Sequence, residues 1–363
     1  MAVARVAAAI TVGVRLAKAA RRAPAVAPVA AVPSVPISVV VPARNEASRL
    51  ASCLDALAGA PGVVERLVVD DESSDATAEL AMARGAEVVH GEHRPPGWAG
   101  KAWALHQGVA AARGEWIVCL DADTRADPRL PSALVARALV DRIDLLSVAG
   151  RFDCPPAALP LHAALLTTLV YRFGAPGTPM APRRMLINGQ CLAFRRDLFL
   201  TDGCFEPLRD QLVEDVALAR HRASLGRTVA FLDGTDLLTV RPYESLAATW
   251  SGWSRSLALP GVEPLARQVA DVATVWLSQA LPLVRVVLGR GDPVDVALLA
   301  LRAVALAGMS RAYSRRSVAY WSSPLADAAA AAALTWSALP RARWWRGRRH
   351  AGWPARPART AAR

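Results

Sequence analysis

Several signatures that fix a chemistry at a glance are missing from this 363-residue chain. No GxGxxG follows the first apolar run and no GxxxxGK[ST] loop occurs. A dinucleotide-binding domain of the NAD kind and a P-loop are therefore excluded. The five cysteines, Cys53, Cys119, Cys154, Cys191 and Cys204, are odd in number and contain no CxxC pair. They make neither a disulfide framework nor a zinc site, and a reducing compartment is the simpler assumption. Acidic residues are absent from both ends. The first 22 residues carry Arg5, Arg15, Lys18, Arg21 and Arg22 and no acid, and Arg341 to Arg363 holds eight arginines and none. No aromatic-interleaved basic motif accompanies these charges, so nucleic acid is not an expected partner. Basic ends beside hydrophobic segments instead mark the cytoplasmic side of a membrane.

What the chain does have is hydrocarbon: 53% of its residues are hydrophobic, with a mean hydropathy of +0.24 and a formal charge of +12. Much of the excess lies near the ends. Residues 3–17 are apolar but interrupted by Arg5 and Arg15, and no cleavage box follows. Residues 1–36 therefore read as an amphipathic surface helix or weak anchor with a linker. Val269 to Leu288 is apolar for about the length of a bilayer span, and Val294 to Met309 is shorter but comparable, with a polar GRGD turn between them. Arg285 and Arg302 weaken each as a lone span. The expectation is a two-span hairpin within membrane-associated helices at 261–340. Ala326 to Leu339 would lie on the membrane or re-enter it, and 341–363 form a basic tail.

Between these ends, residues 37–260 alternate apolar strands with helices. ISVVVPARNE is a β-branched run that closes in a proline and polar residues. Ala47 to Leu57 has helical spacing, RLVVDDESSDAT is a second strand ending in Asp70 and Asp71, and Ala86 to His90 a third. A helix over KAWALHQGVAAARG precedes IVCLDAD, whose strand ends in Asp121 and Asp123. Two carboxylates one residue apart on an extended segment face the same way, which suits a hard divalent cation completed by phosphate oxygens. For a bare DxD, solvated turn aspartates are the commoner outcome. Polar residues collected at the C-terminal ends of alternating strands predict an open α/β sheet with a ligand cleft there.

PARNE, VVDDESSDAT and LDAD, in that order and spacing, resemble the family 2 glycosyltransferases of the GT-A fold. Arg94 to Leu105, RPPGWAGKAWAL, is similar to a stretch of the subgroup that includes hopene-biosynthesis-associated and carotenoid-type (diaponeurosporenoate-like) glycosyltransferases. The resemblance covers Ile37 to Leu257. It implies a GT-A-type open mixed sheet flanked by helices, with C-terminal membrane helices.

The same resemblance implies a nucleotide-sugar donor, with a UDP-sugar favoured, and Mg2+ or Mn2+. Donor binding is expected at Pro42, Glu46, Asp71, Lys101 and Asp121, with Arg255 on the diphosphate. Metal binding is expected at Asp121 and Asp123, Asp123 being the direct ligand. Asp75 serves equally well as a helix cap. Trp98 and Trp103 either wall the cleft or simply pack. INGQCLAFRRD leads into the acceptor site, giving Gln190 as an acceptor contact, and Trp250 and Trp253 of TWSGWSRSL add stacking surface. That segment departs from the family's QxxRW-like pattern, which argues against a processive polysaccharide synthase. Glu214 and Asp215 begin a helix, where acidic residues are favoured in any protein. By motif position, however, Asp215 is the catalytic base and Glu214 its support.

The expected activity is inverting transfer of a sugar to a carotenoid or other isoprenoid lipid at the cytoplasmic face of the cell membrane. A polyprenyl-phosphate or cell-envelope glycan acceptor is the enzymatic alternative, and a non-catalytic membrane scaffold the other. Ala157 to Phe173 reads equally as a segment against lipid or as a buried helix.

Overall fold

The computed structural model describes residues 2–340 and the backbone of Arg343–Trp345 and Arg348–His350, which pair antiparallel. The rest of the expected basic tail lies outside the described residues. Ten further strands are β1 (Ile37–Ala43), β2 (Val63–Asp70), β3 (Glu87–His90), β4 (Trp116–Leu120), β5 (Thr124–Ala126), β6 (Leu145–Ala149), β7 (Arg151–Phe152), β8 (Cys191–Arg195), β9 (Val229–Asp233) and β10 (Leu238–Val240). The helices are α1 (Ala2–Ala19), α2 (Ala47–Ala56), α3 (Thr77–Ala83), α4 (Gly100–Ala111), α5 (Leu130–Asp141), α6 (Leu159–Phe173), α7 (Arg196–Thr201), α8 (Glu214–Ser224), α9 (Leu246–Ser256), α10 (Leu265–Val275), α11 (Leu281–Val287), α12 (Pro293–Met309), α13 (Val318–Trp321) and α14 (Asp327–Ala338).

A seven-stranded sheet in the order β3-β2-β1-β4-β8-β6-β9 forms the core, and β8 runs antiparallel to both its neighbours. Strands β1 and β4 are β-branched and apolar because helices cover both their faces; Ile37, Val39, Val40, Val41, Ile117 and Val118 are fully buried. From β1 the chain proceeds outward to β2 and β3, then returns to place β4 on the other side of β1. The order reverses between β1 and β4, so the helices on either side diverge there and leave a crevice beyond the strands' C-terminal ends. Asp121 and Asp123 follow β4 at that crevice. Gly108 lets α4 lie close on the sheet, since a Cβ there would sit 2.5 Å from Val40 Cγ1 and 2.8 Å from Val69 Cγ2.

The helices beyond residue 245 join two from earlier in the chain. Leu161, Ala164 and Leu165 of α6 pack with Leu257, Val275, Ala330 and Leu334 in one cluster. α6 is thus a buried helix whose neighbours are the later apolar segments. Leu265–Val287 and Pro293–Ala312 are long and apolar enough to cross a membrane, each about one-third buried within the protein. Arg302 faces inward, with Nε 2.9 Å from Asp327 Oδ2 and Nη2 donating to Ser323 at 3.0 Å. That pairing also accounts for α14. The alanine-rich segment buries one face, Ala330, Ala331, Ala333 and Leu334, against the unit and leaves Ala328, Ala329 and Trp336 exposed, while Asp327 at its start supplies the counter-charge that Arg302 needs.

At the other terminus α1 lies against this unit. Arg5 is buried, with Nη1 2.7 Å from Asp292 Oδ2, and it also meets Asp295; Arg285 Nε lies 3.0 Å from Asp295. Two of the four arginines that interrupt the apolar segments in sequence, Arg5 and Arg285, therefore converge on one acidic pair at the start of α12.

Candidate active site

The strand-end residues meet in one cavity of about 1210 Å3. Lys101, the second residue of α4, stands at its centre: Nζ lies 2.7 Å from Asp121 Oδ1 and 3.4 Å from Glu214 Oε1, and donates to the Gly189 carbonyl at 3.3 Å. Burial lowers the proton affinity of this ammonium, but Asp121 and Glu214 outweigh it and raise the pKa above the ordinary lysine range. Asp215 is held by two backbone amides, Gly189 N–H to Oδ2 and Val216 N–H to Oδ1, both at 2.8 Å. Gly189 fits where little else would, since a Cβ there would lie 3.1 Å from Asp215 Cβ and 3.3 Å from Lys101 Nζ. Burial, with Glu214 beside it, pushes the Asp215 carboxyl up to about 6.

Asp121 takes its place from the sheet. Its N–H donates to the Gln190 carbonyl at 3.0 Å, continuing the β4–β8 ladder one residue past the strand. Asp123 sits deeper and its Oδ1 is buried without a hydrogen-bond partner. Burial and then Asp121 push its carboxyl up to about 7, against the pull of Lys101. A buried oxygen without a donor, beside a second carboxylate, is the donor set a divalent cation would complete. The two aspartates thus fit Mg2+ or Mn2+. Among the described residues no group of three or more His, Cys, Asp or Glu side chains gathers as a self-sufficient metal site. The remaining ligands would come from solvent or a phosphate.

Two loops form the other wall. Asn45 Oδ1 accepts from the Ser74 N–H at 2.8 Å and Ser73 Oγ accepts from the Asn45 N–H at 3.0 Å, tying the β1 loop to the β2 loop. Asn45 and Glu72 both take left-handed backbone, φ 53° and 56°. Asp75 accepts from the Ala47 N–H and the Thr77 N–H, each at 3.2 Å, and so braces the starts of α2 and α3 together, although the N-cap position of α3 itself is Ala76.

Of the residues singled out in the sequence, Pro42, Glu46, Asp71, Lys101, Asp121, Asp123, Gln190, Glu214, Asp215, Trp253 and Arg255 all line this cavity. Trp250 does not; it packs, as Trp253 also does, in the helical cluster that includes Val272 and Trp276. Trp98 and Trp103 also lie outside the lining and pack on each other, ring centroids 5.0 Å apart, and on His106. Four lining residues carried no distinguishing pattern. Arg44 and Arg49 flank the acidic wall, with Arg44 Nη1 3.8 Å from Asp71 Oδ2. Tyr243 hydrogen-bonds Arg255 and rests on Gly252, where a Cβ would collide with its ring at 2.0 Å. His162 of α6 pairs through Nδ1 with the Tyr313 hydroxyl at 2.9 Å, and burial lowers its pKa to about 3, leaving a neutral imidazole whose Nε2 has no partner. Arg44 lies within PARNE without standing out there, and a helix-face, a loop and a core context hide Arg49, Tyr243 and His162.

An open mixed sheet with an acidic crevice at its switch point, capped by apolar helices, defines a GT-A-type transferase fold. Among solved structures, the mannosyltransferase PcManGT from Pyrobaculum calidifontis, in complex with GDP-Man and Mn2+, is similar over 93% of this chain and 96% of its own, with TM-score 0.55 and 22% identity; the likeness is one of fold. Residues 38–200 match the profile described as Glycosyl transferase family 2. That stretch, residues 38–200, is a glycosyl transferase family 2 domain. A 4,4'-diaponeurosporenoate glycosyltransferase of Staphylococcus haemolyticus is 26% identical over 258 residues, 66% of this chain and 66% of that one. The protein of the same name from Staphylococcus aureus is 36% identical over 256 residues, 66% and 65% of the two chains. The chain spans just under two thirds of the length of these curated relatives.

Proposed function

We propose that this chain is an inverting, metal-dependent glycosyltransferase that moves a sugar from a nucleotide donor, a UDP-sugar favoured, to a carotenoid or other isoprenoid lipid at the cytoplasmic face of the cell membrane. The observation that carries this reading is a single cavity with Asp121, Asp123, Glu214 and Asp215 at one end and the apolar side chains of α6 and α12 at the other. The names of the two staphylococcal relatives support a hydrophobic acceptor. The GDP-Man and Mn2+ of the Pyrobaculum structure are consistent with a nucleotide-sugar and a divalent cation.

In this reading Pro42, Glu46 and Asp71 receive the nucleoside, whose N–H and hydroxyl groups donate to the carboxylates. Lys101 and Arg255 face the diphosphate as positive charge. Asp121 and Asp123 hold Mg2+ or Mn2+, which when bound neutralises negative charge on the departing diphosphate. Gln190 and Trp253 face the acceptor. Asp215 takes the proton of the acceptor oxygen as that oxygen bonds to the anomeric carbon. The bond from that carbon to the diphosphate breaks with its electrons leaving on the nucleotide, and one displacement inverts the centre. A carboxylate whose pKa is raised to about 6 is still ionised at neutral pH but holds a proton better than an exposed aspartate.

The test is release of nucleoside diphosphate from a panel of UDP- and GDP-sugars with Mn2+ and lipid extract, comparing the wild type with Asp215→Asn. Release by the wild type and its loss in the variant are expected. Silence of both across the panel sinks the proposal.

A further inference from the structure

The cavity does not end at the carboxylates. It continues along Leu166, Leu169 and Val170 of α6 to Val304 and Gly308 of α12 and Leu16 of α1. Val304 is 61% exposed and Gly308 is also exposed, so this arm reaches the outer surface of the helical unit between α1 and α12. The gap there is framed on several sides. Arg5 fastens the start of α1 to Asp292 and Asp295, Arg15 Nη1 donates to the Tyr171 carbonyl at 2.5 Å, and Val12 packs with Tyr171 and Ala305. A side chain at position 308 would meet no heavy atom within 4 Å of its Cβ.

We infer that this opening is a lateral portal for the hydrocarbon tail of a bilayer-resident isoprenoid acceptor, and that the missing side chain at Gly308 sets its clearance. The inference rests on the lipid-acceptor reading above and adds the route and a selecting residue. The surface around the opening identifies the source. Val14 of α1 and Val304 of α12 are exposed beside the opening, and Val3, Val6, Ile10 and Val296 are exposed farther along the same two helices, which leaves an apolar flank suited to acyl chains rather than water. An acceptor entering here brings its tail along the apolar arm while its nucleophilic oxygen is carried towards Asp215. Bulk added at Gly308 then penalises acceptors in proportion to how much chain must pass.

The five native cysteines are all buried, so Gly308→Cys adds the one accessible thiol among the described residues. The full-length variant, reconstituted in phosphatidylglycerol vesicles with a UDP-sugar and Mn2+, is assayed before and after labelling with maleimides of increasing size. The probes are C15 and C30 isoprenoid alcohols. The portal predicts that the ratio of C30 to C15 transfer falls at least tenfold with the largest label and least with the smallest, and that Gly308→Trp shifts the ratio the same way. A bimane attached to the introduced thiol should be quenched by lipids brominated in the acyl chain. Transfer to C30 with an unchanged ratio, an equal fall for both lengths, or no bilayer quenching overturns the portal and leaves the transferase reading standing. Wild-type protein that releases nucleoside diphosphate but glycosylates neither probe overturns the lipid-acceptor reading itself, and the portal with it.

Discussion

At the carboxylate end of the cavity, charged groups stand on strand ends and tied loops; at the other end, the wall is made of apolar side chains from α1, α6 and α12, which lie far apart in the chain. The carboxylates are placed by backbone hydrogen bonds: the Asp121 N–H reaches the Gln190 carbonyl just before β8, and Asp215 is gripped by two amides. The helical wall is placed by buried ion pairs, Arg302 with Asp327 and Arg172 with Asp271, and by close packing around α6. Hydrogen-bonded strand ends fix a side chain within narrow limits, which reacting groups require. Helices held by a few charges and smooth hydrocarbon leave a wall whose shape follows the size of its side chains. The comparison predicts that substitutions at the two ends will separate chemistry from acceptor choice.

The largest separation is expected at the carboxylates. Asp215→Asn should lower transfer by about 10²–10⁴-fold, the usual contribution of a general base, while nucleotide binding followed by calorimetry is retained. Asp123→Ala should abolish the Mn2+-dependent part of nucleoside diphosphate release and leave the protein in the membrane fraction. Residual metal-dependent release in that variant would break the assignment of the donor end.

The helical end should fail differently. Replacing Arg302 by Leu strands the buried Asp327 carboxylate, and the expected destabilisation is about 3–5 kcal/mol by denaturant unfolding in detergent. Arg302→Leu combined with Asp327→Leu should recover most of that loss, because an apolar pair leaves no charge buried alone. If the double variant is no better than the single one, the pair does more than balance charge.

A smaller effect concerns pH. Asp215, raised to about 6, is protonated and inactive as a base below that value, so transfer should rise with pH through about 6 and level off above it. Glu214 contributes to that rise in pKa as a neighbouring negative charge, so Glu214→Gln should move the limb to lower pH. A limb that stays in place would remove Glu214 from its supporting position. The smallest expected change is Gly252→Ala, whose Cβ displaces Tyr243 and loosens its contact with Arg255; a rise in donor KM larger than the fall in kcat is the signature.

The carboxylate end was legible in sequence because strands announce themselves. Short β-branched runs ending in PARNE, VVDD and LDAD place the carboxylates within a residue or two of where β1, β2 and β4 deliver them. The apolar end was not, because its partners are joined by contacts without periodicity. Nothing in the linear order shows that Arg302 meets Asp327, that Arg5 meets Asp292, or that α1 returns to line the cavity. Those arginines read in sequence as flaws in membrane spans; in the fold they are the fastenings. Trp250 and Trp253 show the limit most sharply. They are three residues apart on α9, yet only Trp253 reaches the cavity, a distinction set by where the helix lies.

The central claim, that one cavity joins a nucleotide-sugar site to a membrane acceptor, is tested most directly by mass spectrometry of lipids from cells carrying the wild-type chain or Asp215→Asn. The account predicts a sugar-sized mass increase on an isoprenoid lipid in the wild type alone. A change confined to wall polymer, with every isoprenoid unmodified, would contradict it.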